Sequence, residues 1–108
     1  MKQIVVPLSP AALHRLDLDQ SQPGEVETWT LSPEHYQQLW DSGLIQRVNS
    51  VLGSLVDDYE DASIQGATAL EIVQELLEQA TLPADLKARF KQLTALARSK
   101  GTGLFFYF

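Results

Sequence analysis

The stretch Gly103-Leu104-Phe105-Phe106-Tyr107-Phe108 carries five consecutive apolar residues behind a glycine, with no polar position among them. A half-exposed strand alternates and an amphipathic helix leaves a polar stripe, and this run does neither. It predicts a central strand covered on both sides, or covered on one side by a partner.

Working back from it, the segment that begins near Pro83 has Asp85 in its first turn and Leu86, Phe90, Leu93 and Leu96 at helical spacing. Arg98, Lys100 and then Gly101 close it. Thr68-Ala69-Leu70-Glu71 reads as a capping box opening a helix whose face is Leu70, Val73, Leu76, Leu77 and Ala80. Upstream, Leu44, Val48, Val51, Leu52, Leu55 and Tyr59 form one apolar stripe. It predicts a single helix over 44–59 in which Gly53 points away and costs about 1 kcal/mol. Ser32-Pro33 starts a preceding helix, with Tyr36, Leu39 and Trp40 as its stripe and Gly43 as its stop.

Residues 25–31 alternate, with Trp29 and Leu31 inward, and read as a strand. Gln3 to Leu8 is a further β-type run, which Pro7 either places at a sheet edge or ends. Ser9-Pro10 caps one or two helical turns through Leu13 and Leu16, and Asp17 to Gly24 is a surface loop. The expected fold is therefore a single α+β domain spanning 1–108, with about three β-strands packed with about four α-helices. The two ends of the sequence lie adjacent in one sheet, and strand direction is left open.

Composition narrows the function. A chain of 108 residues builds one core. The absence of cysteine removes disulfides, thiol catalysis and the usual zinc sites. No apolar run approaches the roughly 20 residues that span a bilayer. Met1 to Leu8, with one lysine and a run broken by Pro7, is too little for a signal peptide, so the cytoplasm is the expected compartment. Between Asp17 and Asp85 stand 14 carboxylates and one base, Arg47. Such a body repels nucleic acid and anionic membrane and favours cationic proteins, and it also serves plain solubility.

No residues qualify as catalytic. His14 and His35 are isolated from other metal ligands, no serine sits in a glycine-flanked elbow, and Gly101-Thr102-Gly103 lacks the third glycine and following helix of a phosphate loop. No cofactor or metal is expected. Lys87, Arg89 and Lys91 alternate around their helix without an aromatic platform, which suits pairing with acidic helices better than nucleic acid.

One cluster stands out, Asp57-Asp58-Tyr59-Glu60-Asp61. At the end of a helix these carboxylates would meet the negative dipole pole and one another. Three readings are open: a solvated helix end, a patch for a cationic partner, and a divalent-cation site, the last without the alternating ligand loop of an EF-hand. On a helical wheel Tyr59 joins the core stripe, Asp58 borders it, and Asp57, Glu60 and Asp61 face outward.

Leu31-Ser32-Pro33-Glu34, the stretch from Leu44-Ile45 through Asn49 into Asp57-Asp58-Tyr59-Glu60, and Gly103-Leu104-Phe105-Phe106 resemble the small immunity proteins of bacterial contact-dependent and polymorphic toxin systems. The resemblance covers 25–108. It implies a cytoplasmic, non-catalytic inhibitor that binds a toxin domain, often a nuclease, and occludes its active site. It supplies no fixed binding residues, so partner binding by Asp57, Asp58, Glu60 and Asp61 rests on charge alone: a nuclease cleft is basic, and an acidic protein gains association rate against it. The alternative expectation is a structural or adaptor subunit of a homo- or hetero-oligomer, and the oligomeric state is not fixed by the sequence.

Overall fold

The computed structural model describes all 108 residues, Met1–Phe108. The chain runs β1 (Gln3–Pro7), α1 (Pro10–Asp17), β2 (Val26–Thr30), α2 (Pro33–Asp41), α3 (Leu44–Leu52), β3 (Asp61–Gln65), α4 (Ala67–Gln79), α5 (Ala84–Lys100) and β4 (Gly103–Tyr107). The four strands form one antiparallel sheet in the order β2-β1-β4-β3. The class is α+β, and the two sequence ends pair as β1 and β4.

β4 lies between β1 and β3, as its unbroken apolar run requires. Leu104, Phe106 and Phe108 point into the main core with Ile4, Val6, Trp29 and Ile64, beneath α2 to α5. Phe105 and Val5 face the other way and are buried on the side where Ala12 of α1 packs. Rings touch in sequence through the core, Trp29 to Phe90 to Phe106 to Phe108 to Tyr36 to Trp40, with centroids 5.0–6.4 Å apart. This aromatic row ends at the surface on α2.

Ser9 and Ser32 cap α1 and α2, each accepting from the amide three residues on, and a proline fills the first turn of each helix. Gly101 closes α5 in the left-handed conformation at φ 68°. Pro7 ends β1 rather than marking an edge. Within β1 only Gln3 to Val5 pair with β4, and beyond them the Thr102 hydroxyl donates to the Pro7 carbonyl at 2.7 Å.

Three expectations are corrected. The helix over 44–59 stops at Leu52, because Gly53 adopts φ 66° and ends it. The apolar stripe continues beyond that point only in sequence: Leu55 is exposed and its neighbour Val56 is buried from a loop, while Val51, still within α3, is exposed as well. Next, the sheet has a fourth strand, β3, which begins at the acidic residue Asp61. Finally, Thr68 and Glu71 form no capping box. β3 turns directly into α4 through Gly66 at φ 96°, so the helix already starts at Ala67 and has no side-chain cap bond.

Candidate partner-binding site

The segment that joins α3 to β3 is a folded loop held by one side chain. Asn49 Nδ2 donates to the Val56 carbonyl at 2.8 Å, and its Oδ1 accepts from the Val56 amide at 3.0 Å and the Ser54 hydroxyl at 2.8 Å. Val56 is thereby fixed in the core, which leaves Leu55 beside it 83% exposed. The Asp57 carboxylate accepts the Asp58 amide at 2.7 Å, and the Glu60 amide donates to the Asp57 carbonyl at 3.3 Å. That turn puts Tyr59 at its tip with φ 60°, and the ring is 86% exposed. Its expected place in the core stripe is therefore wrong: without a helix here, no periodicity directs it inward.

The four carboxylates of the cluster separate into three settings. Asp58 is bonded within the fold, although its side chain stays 44% exposed. Its Oδ1 accepts from Lys2 Nζ at 2.5 Å and from the Tyr36 hydroxyl at 2.8 Å. These two bonds, led by that from Lys2, hold its carboxyl below the usual carboxylate range. Burial first, then the bond to Asp58, pushes the Tyr36 phenol up to about 12. Lys2 also donates to the Phe108 carbonyl and lies 4.3 Å from the centroid of the Tyr59 ring. Asp58 thus ties the start of β1, the residue after β4, α2 and the loop together.

Asp57 and Glu60 face outward on an open groove of about 500 Å³, with Trp40 and Leu55 in its walls. A second hollow, of about 230 Å³, shares Trp40 and Asp57 with it and adds Tyr36 and Asp58. The groove therefore has an aromatic wall, exposed apolar side chains at its rim, and two carboxylates without a bonded cation. This chemistry receives a lysine or arginine side chain, with the stem on the aromatic wall and the charge at the carboxylates. Lys2 already makes that combination of contacts with Tyr59 and Asp58.

Asp61 lies apart. It opens β3 opposite Tyr107, on the sheet face away from the main core, where Asp17 and Asp19 also border a hollow. Burial, followed by these three carboxylates, raises the Tyr107 phenol above its ordinary value.

Lys87, Arg89 and Lys91 of α5 are engaged within the fold. Arg89 meets Glu27 at 2.9 Å, Lys91 pairs with Glu78, and Lys87 donates to the last carbonyls of α4 at Glu78 and Ala80, each at 3.1 Å. His35 stands 3.7 Å from Asp85, and no three side chains of the His, Asp and Glu type gather as a metal site would require. No helix is long and apolar enough to cross a membrane.

Charge alone pointed to Asp57 and Glu60 but missed their apolar neighbours Trp40, Leu55 and Tyr59. The available signal was Gly53-Ser54, a helix stop inside the supposed stripe, followed by the alternation of Asp61-Ala62-Ser63-Ile64-Gln65. No family model, no curated protein and no solved structure matches the chain.

Proposed function

We propose that this protein is a non-catalytic binding module that neutralises a cationic protein, a toxin domain of the nuclease kind, by covering its basic cleft with the loop 53–60 and the adjoining face of α2. The observation that carries this reading is the exposure of Leu55 and Tyr59, at 83% and 86%, beside the outward carboxylates Asp57 and Glu60. Large apolar side chains left in water beside carboxylates that no cation neutralises mark an interface: the apolar groups supply affinity and the charges supply association rate and choice of partner. The resemblance to immunity proteins agrees with it, as does the net charge of −6.

The test is affinity capture from the native host with the wild-type protein and with Asp57→Lys/Glu60→Lys. Wild type is expected to retain a basic protein whose activity it abolishes. The double variant should stay within about 1 kcal/mol of the native stability, because neither carboxylate holds a cation and the one bond given up, from the Asp58 amide to Asp57, is exposed. Its association should be slower by about tenfold or more at low salt, with little salt dependence left. Equal association by both proteins, or a captured partner that stays fully active, would refute the reading.

A further inference from the structure

β3 has one paired edge and one free one. Its ladder to β4 runs from Asp61 opposite Tyr107 to Gln65 opposite Gly103, and no backbone group of Asp61 to Gln65 bonds to anything outside that ladder. The opposite edge strand, β2, is free as well but carries a natural defence: Glu27 points inward beside Trp29 and is held there by Arg89. An inward charge disfavours addition of another strand. β3 has no such device. Its inward residues are Ala62 and Ile64, it contains neither lysine nor proline, and its register to β4 is uninterrupted.

The ground beside this edge is mixed, with Ser54, Ser63 and Gln65 set among apolar side chains. A groove of about 290 Å³ runs along it, with Leu52, Ile64 and Ala69 in its walls. Of the five large hydrophobic residues most exposed to water, Val51, Leu55 and Tyr59 fall in the segment just before β3. Asp57 and Glu60 stand at the end where β3 begins.

We infer that β3 is extended by a fifth strand, an extended segment of a cationic protein. Its backbone pairs with Asp61 to Gln65, its apolar side chains enter the groove at Ile64, and its basic side chains meet Glu60 and Asp57. The inference rests on the proposed function and gives that interface its geometry. Main-chain pairing supplies affinity in such an addition, and alternate side chains supply selection. Charge decides between occupants: a second copy of this chain would bring another net −6 to the edge, whereas a basic strand meets opposite charge.

The probe is a synthetic peptide of seven alternating lysine and valine residues, added to the isotope-labelled full chain. Two further versions are N-methylated on alternate amides, one along each edge. With the parent peptide at ten times its Kd, the amides of Asp61 to Gln65 are expected to shift and exchange about tenfold more slowly. One methylated version should lose this effect and the other keep it, because only one edge of an added strand faces β3. Equal binding by both methylated versions, responses at Val26 to Thr30 instead, no response at β3, or protection that depends on protein concentration without peptide would each overturn strand addition. The Asp57→Lys/Glu60→Lys protein separates the two ideas: undiminished pairing of the parent peptide with β3 would retire the cationic-partner reading and leave strand addition standing.

Discussion

Tyr59 holds a conformation that side chains seldom adopt, φ 60°, at the tip of a turn, and presents its ring to water above Lys2. Left-handed backbone costs a residue with a Cβ roughly 1–2 kcal/mol, which a surface ring with no packing role does not repay. The ring returns only a partial cation–π contact with Lys2, of about 0.5–1 kcal/mol at an exposed site. Tyr59→Gly is therefore expected to leave stability within about 1 kcal/mol of wild type, since relief of backbone strain offsets the lost contact. The same change should weaken binding to a captured partner by about tenfold or more, as removal of an interface aromatic does. Melting midpoints beside binding titrations would check both. A large fall in melting midpoint would mean that Tyr59 supports the fold. Asp58, two bonds deep in the junction of Lys2 and Tyr36, belongs to the opposite category, although it is adjacent in sequence.

At the scale of elements, the register of β3 on β4 depends on Gly103. A methyl group there would come 2.6 Å from the Ile64 carbonyl oxygen and 3.1 Å from the Gln65 Cα, both of them backbone. No rotamer change relieves such a contact, so β3 would have to move away from β4. Gly53 presents the reverse case: a methyl group there meets nothing within 4 Å, and only its φ of 66° resists substitution. Gly103→Ala is accordingly expected to cost about 2–3 kcal/mol, in the range of overpacked sites. Gly53→Ala should cost about 1 kcal/mol, the conformational term alone. Chemical denaturation of the two variants gives the comparison, and equal costs would show that β3 shifts freely. Loss of β3 packing should also raise amide exchange along Asp61 to Gln65, the edge proposed to receive a partner strand.

Across the whole molecule, β4 joins the two halves of the sheet and lines both buried faces. Leu104, Phe105, Phe106 and Phe108 are each at most 6% exposed. Burying side chains of this size contributes roughly 1.5–3 kcal/mol apiece, against a total stability of about 5–15 kcal/mol. Removal of Leu104 to Phe108 is expected to give an unfolded or aggregated chain, as seen by circular dichroism and by sedimentation. A truncated protein with the native spectrum and melting midpoint would contradict this account. The aromatic row ties this core to the site as well: Phe108 meets the Tyr36 ring at 5.0 Å, and Tyr36 meets Trp40 at the wall of the groove.

The class of fold, the strands β1, β2 and β4, the caps of α1 and α2 and the closure of α5 followed from the sequence alone. These features are governed by neighbours a few residues away: a serine before a proline, an alternation over seven residues, a run with no polar face. The acidic character of the body was equally open to reading, because charge adds up whatever the fold. Residues 53–65 were decided only by tertiary structure. Their apolar spacing continues that of α3, and spacing cannot tell a side chain buried from a helix, such as Val48, from one buried from a loop, such as Val56. What separates them is distant in sequence: Lys2 reaching Asp58 across 56 positions, and β4 offering the free edge on which 61–65 becomes a strand. A strand exists by virtue of its partner, and a carboxylate is structural or available according to the cation that the fold brings to it.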